Sequence, residues 1–172
     1  MDKYYYFVSQ LPVLFFDKES YMTSEYFLQE AEKWLSTKDL EILSRVDMND
    51  FSLDGKYSQV LLEYKEFEFS LRNDLALWRK AQRMGQEYKT LSFPVSVVKE
   101  GNPLDVEKKL LHLRWNFIEE KELEHHFDLE LLILYFLKLQ ILERLFSFNK
   151  EKGLETYQKL CKVDVWTSEM GK

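Results

Sequence analysis

His125 and His126, with Glu122, Glu124 and Asp128 beside them, form the densest set of possible metal ligands in the sequence. Glu122, Leu123, Glu124 and His125 spell a Glu-x-x-His motif, whose spacing puts a carboxylate and an imidazole on one side of a helix. A di-iron bundle needs that motif twice, with a further Glu from each of two other helices. The remaining histidine, His112, has Lys109 three positions before it, so the second motif is missing. Adjacent imidazoles also point to different sides of a helix, and the pair is expected to behave as ordinary imidazoles without a bound transition metal.

Other catalytic signatures are equally thin. Cys161 has no histidine near it in sequence, and a lone cysteine on a terminal helix reads as a packed thiol rather than a nucleophile. Glu66 with Glu68, and Glu119 with Glu120, are pairings common to any acidic helix. The five glycines are scattered, with no two close enough for a phosphate-binding loop. The expectation is a protein with no catalytic residue, cofactor or metal of its own.

Two polar clusters interrupt otherwise apolar helices. Arg72, Asn73 and Asp74 lie between Leu71 and Leu75, and Lys138, Gln140, Glu143 and Arg144 lie within Leu137–Leu145. If these groups are buried they must be paired, so Arg72, Asp74, Lys138, Gln140 and Glu143 are candidates for one internal network. The alternative is that each head group reaches solvent.

The elements that would position these groups are helical. Phe127–Phe148, after its capping Asp128, carries only Glu130, Lys138, Glu143 and Arg144 as charges. A helix apolar nearly all round must be enclosed by others, so this is the expected central rod. In Tyr57–Arg83, Val60, Tyr64, Phe67, Leu71, Leu75 and Trp78 recur at three or four residues, predicting an amphipathic helix of about seven turns. Thr23 can cap a helix carrying Tyr26, Phe27, Ala31, Trp34 and Leu35, and Ser36 or Thr37 a short one over Asp39–Arg45. Leu104 or Asp105 opens a helix toward Glu120, a polar joint covers Glu119–His126, and a last helix holds Leu154, Tyr157 and Leu160. Loops are expected near 47–56 and 91–103. Tyr4–Val8 suits either a short helix or an extended segment, with Phe93–Val98 its one credible strand partner. The predicted fold is all-α, a single-domain helical bundle over residues 1–172.

Length and composition agree. At 172 residues one core is the default, given about 150 residues per domain. With 45% hydrophobic residues, 13 Phe, 10 Tyr and 4 Trp, the composition excludes disorder. A formal charge of −6 has the wrong sign for a general nucleic-acid binder. The exception is local: Arg79, Lys80, Arg83 and Lys89 form a short basic end, read as a solvated helix terminus. One cysteine suits a reducing cytoplasm. The first residues do not read as a secretory signal, and the longest apolar run, Leu131–Leu137, is far short of the roughly 20 residues that span a bilayer. Any membrane association is expected to be indirect.

Three stretches carry a resemblance. They are Tyr4-Tyr5-Tyr6-Phe7-Val8-Ser9-Gln10-Leu11-Pro12, then Leu71-Arg72-Asn73 with Leu75-Ala76, and Arg114-Trp115, Phe127-Asp128, Leu134-Tyr135 and Lys138-Leu139-Gln140-Ile141-Leu142-Glu143-Arg144. In these the chain resembles a small bacterial family of unknown function encoded among the subunits of a V-type (rotary) ATPase. The resemblance implies a non-catalytic structural or assembly component, cytoplasmic and peripheral at the membrane through that complex. A weaker resemblance, by helical pattern and tyrosine-rich start, is to the C-type (d) component of V-type ATPases, which seats the central stalk and is considerably longer. The alternative is an unrelated helical protein-interaction module. For the ATPase the candidate contacts are Tyr4, Tyr5, Tyr6 and Phe7, since five aromatic or β-branched residues in a row cannot all face one core; the alternative is that this segment packs across the domain as an ordinary closing strand or helix.

Overall fold

The computed structural model describes residues 4–50, 52 and 58–148. Among these it is all-α, with no strand. The helices are α1 (Tyr5–Gln10), α2 (Ser24–Glu32), α3 (Thr37–Ser44), α4 (Gln59–Arg83), α5 (Ser96–Lys99), α6 (Pro103–Glu122) and α7 (Leu129–Phe146). The expected last helix and Cys161 lie outside the described residues.

Side-chain caps set most of the boundaries. Thr23, Ser36 and Asp128 accept hydrogen bonds from the amides of Tyr26, Asp39 and Leu131, which would otherwise be orphaned at the starts of α2, α3 and α7. Ser58 does the same for α4, which begins at Gln59, two residues after the expected start. α6 begins at Pro103 because Asn102 and Asp105 form a reciprocal capping box and proline suits the first helical position. Its far end runs to Glu122, so the expected polar joint shrinks to Leu123–Phe127 before the Asp128 cap. The turn α5 interrupts the long connection before α6.

The N-terminal segment is helical rather than extended. Its expected strand partner, Phe93–Val98, is itself partly taken up by α5, whereas a helical turn buries Tyr4 and Phe7 on one side and turns Tyr5 and Tyr6 outward. Three-residue spacing thus satisfies the core where alternation would have no sheet to join.

α7 is the centre of the fold, in contact with α2, α3, α4 and α6. Leu132, Ile133, Leu134, Leu137 and Ile141 are completely buried and, with the buried Lys138 and Leu142 on the remaining side, cover the middle of the rod all round, while Glu143, Arg144 and Phe146 in its last turn are exposed. Each such side chain contributes about 1.5–3 kcal/mol of burial. α6 runs antiparallel beside it, as the pairing of Glu122, at the end of α6, with Lys138 and of Glu107, near its start, with the later Arg144 requires. A smaller cluster of Leu71, Leu75, Phe93 and Leu110 joins the second half of α4 to the start of α6.

Candidate functional site

Residues 4–22 form a layer laid over the bundle. The Tyr4 amide donates to the Phe127 carbonyl at 3.0 Å, and the Tyr4 hydroxyl donates to the Asp39 carboxylate, which also accepts from Ser36 Oγ. Phe7 stacks on Phe27, and Phe27 on Phe136, with ring centroids 5.6 and 5.5 Å apart, carrying the layer into α7. The Tyr135 hydroxyl donates to the Pro12 carbonyl at 2.9 Å, and Phe16 packs edge-on against His112 and Trp115.

The four proposed contact residues therefore divide. Tyr4 and Phe7, 4% and 2% exposed, belong to the core and are removed from the candidate surface. Tyr5 and Tyr6, 51% and 69% exposed, face outward and pack edge to face. Val13, Phe15 and Tyr21 are exposed on the same layer. Tyr5 rests on Phe127 at 4.8 Å, and Phe127 has φ +55°, a left-handed conformation rare for a bulky side chain. The Tyr4 hydrogen bond and the Tyr5 ring hold that conformation in place, coupling the N-terminal layer to the α6–α7 turn.

Beside α1 a cleft of about 220 Å³ opens between the layer and α7, lined by Leu11, Pro12, Leu131 and Tyr135, with Glu122 and Lys138. Its walls are mainly aliphatic. The Lys138 ammonium is bound by Glu122, lies 3.7 Å from Glu119 and sits 4.7 Å above the Trp115 ring. Burial pushes the Glu122 carboxyl up, outweighing the pull of Lys138. Burial likewise raises the Tyr135 phenol. The arrangement fixes a polar tether under an apolar opening.

The five candidates for an internal network serve separate ties. Arg72 donates to Glu68. Asp74 accepts from the Tyr88 hydroxyl and from the Leu91 and Ser92 amides. Burial pushes the Asp74 carboxyl up, but these donors outweigh it and hold the group below its ordinary value. Lys138 joins α7 to α6. Gln140 accepts from the Met48 amide and donates to the Val46 carbonyl, fastening the segment after α3 to the rod. Glu143 accepts from the Ser24 amide and hydroxyl, closing the N-terminus of α2. A single network is thus corrected to local clamps, because the helix periodicity points these groups toward different neighbours.

The most deeply buried charge, Glu68, was missed among ordinary acidic-helix carboxylates. Glu68, with no exposed surface, accepts two hydrogen bonds from Arg114 at 2.9 Å and one from Arg72 at 2.6 Å. Burial alone would lower the Arg114 pKa, and Glu68 reverses that. A visible signal existed: Glu68 lies on the apolar stripe between Tyr64 and Leu71, and Arg114 between the buried Leu111 and Ile118.

Lys65 is buried too, and its ammonium meets Asp50 in the loop before α4. Lys65 holds the Asp50 carboxyl down at about 2, helped by Ser52. A carboxyl depressed in the folded state contributes stability fully above the unfolded value of about 4, and loses it as pH falls toward 2. The melting temperature should therefore drop between about pH 4 and 2, and the drop should be shallower in Asp50→Asn. Thermal unfolding scans across that window check it; an identical slope in the variant would contradict the assignment.

His125 Nδ1 lies 3.0 Å from the Asp128 carboxylate, while His126 is exposed. Among the described residues no group of three or more His, Cys, Asp or Glu side chains is placed to hold a metal ion, and no helix is long and apolar enough to cross a membrane. No curated protein and no solved structure matches the chain. Residues 81–164, which include the end of α4, α6 and the whole central rod, match the family described as a protein of unknown function, DUF2764.

Proposed function

We propose that this chain is a non-catalytic structural or assembly component of a bacterial V-type rotary ATPase, docking through the outward face of its N-terminal layer. The observation that carries the reading is the division at the start of the chain. Tyr4 and Phe7 anchor the layer while Tyr5 and Tyr6 stand exposed on its outward side. Aromatic side chains already held by their own backbone lose little freedom on binding and contribute most to protein interfaces. The ATPase as partner rests on the resemblance in the tyrosine-rich start and the Lys138–Arg144 stretch. The match to a family of unknown function agrees with that resemblance at its coarser level. The weaker likeness to the C-type (d) component makes the central stalk the first place to look.

Affinity capture of the tagged chain from detergent-solubilised native membranes, with the captured proteins identified, tests the proposal. ATPase subunits in fixed ratio to the bait are expected. A reproducible partner set without them would instead support an interaction module outside the ATPase, since the same face suits other proteins.

A further inference from the structure

The last turns of α4 present a second outward face of different chemistry. At 100° per residue, Arg79, Arg83, Lys80, Met84 and Leu77 follow one another round about 160° of the helix. All five are exposed. Lys89 and Leu91 follow on the returning turn, and Leu91 is 88% exposed. Among the described residues none of these four cations forms an ion pair, and Glu87 is the one acidic residue in the stretch 76–91.

That turn is built rather than loose. Gly85, at φ +65°, ends the helix, and the Gln86 amide returns to the Ala81 carbonyl at 2.9 Å. Asp74 then grips the Leu91 amide at 2.6 Å, the Ser92 amide at 2.8 Å and the Tyr88 hydroxyl at 2.7 Å. Those three bonds fix the backbone that carries the exposed Leu91 side chain. Complementarity with the helix dipole accounts for Lys80 and Arg83 at the terminus. It does not account for three exposed apolar side chains set among the cations.

We propose that the end of α4 and its clamped turn form a direct docking surface for an anionic phospholipid bilayer. Arg79, Lys80, Arg83 and Lys89 face the headgroup phosphates, and Leu91, with Leu77 and Met84 beside it, enters the boundary between headgroups and acyl chains. A basic patch in a chain of net charge −6 restricts the attraction to this end and turns the remaining acidic surface away from the membrane. A protruding leucine favours the bilayer over an acidic protein, because a bilayer receives it without a matching pocket.

Co-sedimentation of the full chain with vesicles tests this independently of any ATPase contact, since the vesicles contain no protein. Binding is expected to vesicles of phosphatidylglycerol and phosphatidylcholine at low salt, and not to phosphatidylcholine alone. It should weaken by more than about tenfold in Arg79→Glu/Lys80→Glu/Arg83→Glu, and in salt that screens surface charge. Leu91→Ser should weaken it several-fold with circular dichroism and melting temperature unchanged. Failure of the unmodified chain to bind the anionic vesicles would overturn the proposal. So would binding insensitive to the charge reversals, or binding to polyglutamate in place of vesicles.

Discussion

Glu68→Ala is expected to destabilise the fold by about 3–5 kcal/mol, the cost of leaving a buried charge without its partner. Glu68 has no exposed surface and joins α4 to Arg114 of α6 through two parallel hydrogen bonds, with Arg72 on the same carboxylate. Removing the carboxylate leaves the nearly buried Arg114 guanidinium without the carboxylate that accepts both of its hydrogen bonds. The size of the loss reflects that stranded charge more than the net value of the pair. Glu68→Met combined with Arg114→Met should therefore recover much of the stability, because two apolar side chains need no partner. Chemical denaturation of the two variants checks both statements. A loss below about 1 kcal/mol in Glu68→Ala would show that the bridge is not closed to solvent.

Leu132→Ala is expected to cost about 2–5 kcal/mol. Leu132 lies in the rod where Ile133, Leu134 and Leu137 are also fully buried, so neighbours on every side limit collapse into the space left behind. Leu123→Ala is the matched control. That residue is 77% exposed just beyond α6, and its replacement should change stability by no more than about 0.5 kcal/mol. Equal small losses at the two positions would remove α7 from the centre of the fold.

The central rod, the amphipathic stripe of α4 and the caps at Thr23, Ser36 and Asp128 were legible because burial period and capping chemistry agree there. α1 was not, since a run of three tyrosines, Phe7 and Val8 has strand propensity and only tertiary packing decides that Tyr4 and Phe7 share one side. The Asn102–Asp105 capping box, with Pro103 between, was written in the sequence but hidden inside a stretch dominated by Pro94, Gly101 and Pro103. At the candidate site, the aromatic start marked a segment of which Tyr5 and Tyr6 are exposed and Tyr4 and Phe7 buried. Which of its residues face outward depended on helical rather than alternating spacing. The polar groups were legible as groups needing partners, but not the partners. Glu143 caps α2, 119 residues earlier in the chain, and Gln140 holds backbone 92 and 94 residues before it. Periodicity gives a side for each residue of a helix, and it carries no information about which distant backbone lies across from it.

The central functional claim is that Tyr5 and Tyr6 contact a V-type ATPase, and its most direct measurement compares ATPase subunits recovered from native membranes with the unmodified chain and with Tyr5→Ala/Tyr6→Ala. Tyr6→Ala alone, at a ring 69% exposed, should unfold close to the parental temperature and still lower recovery, which separates loss of contact from loss of the Tyr5 packing on Phe127. Loss of two interface anchors at about 2 kcal/mol or more should reduce recovery by well over tenfold. Equal recovery by the two proteins would remove this face as the contact, and absence of every ATPase subunit from the unmodified capture would contradict the assignment itself.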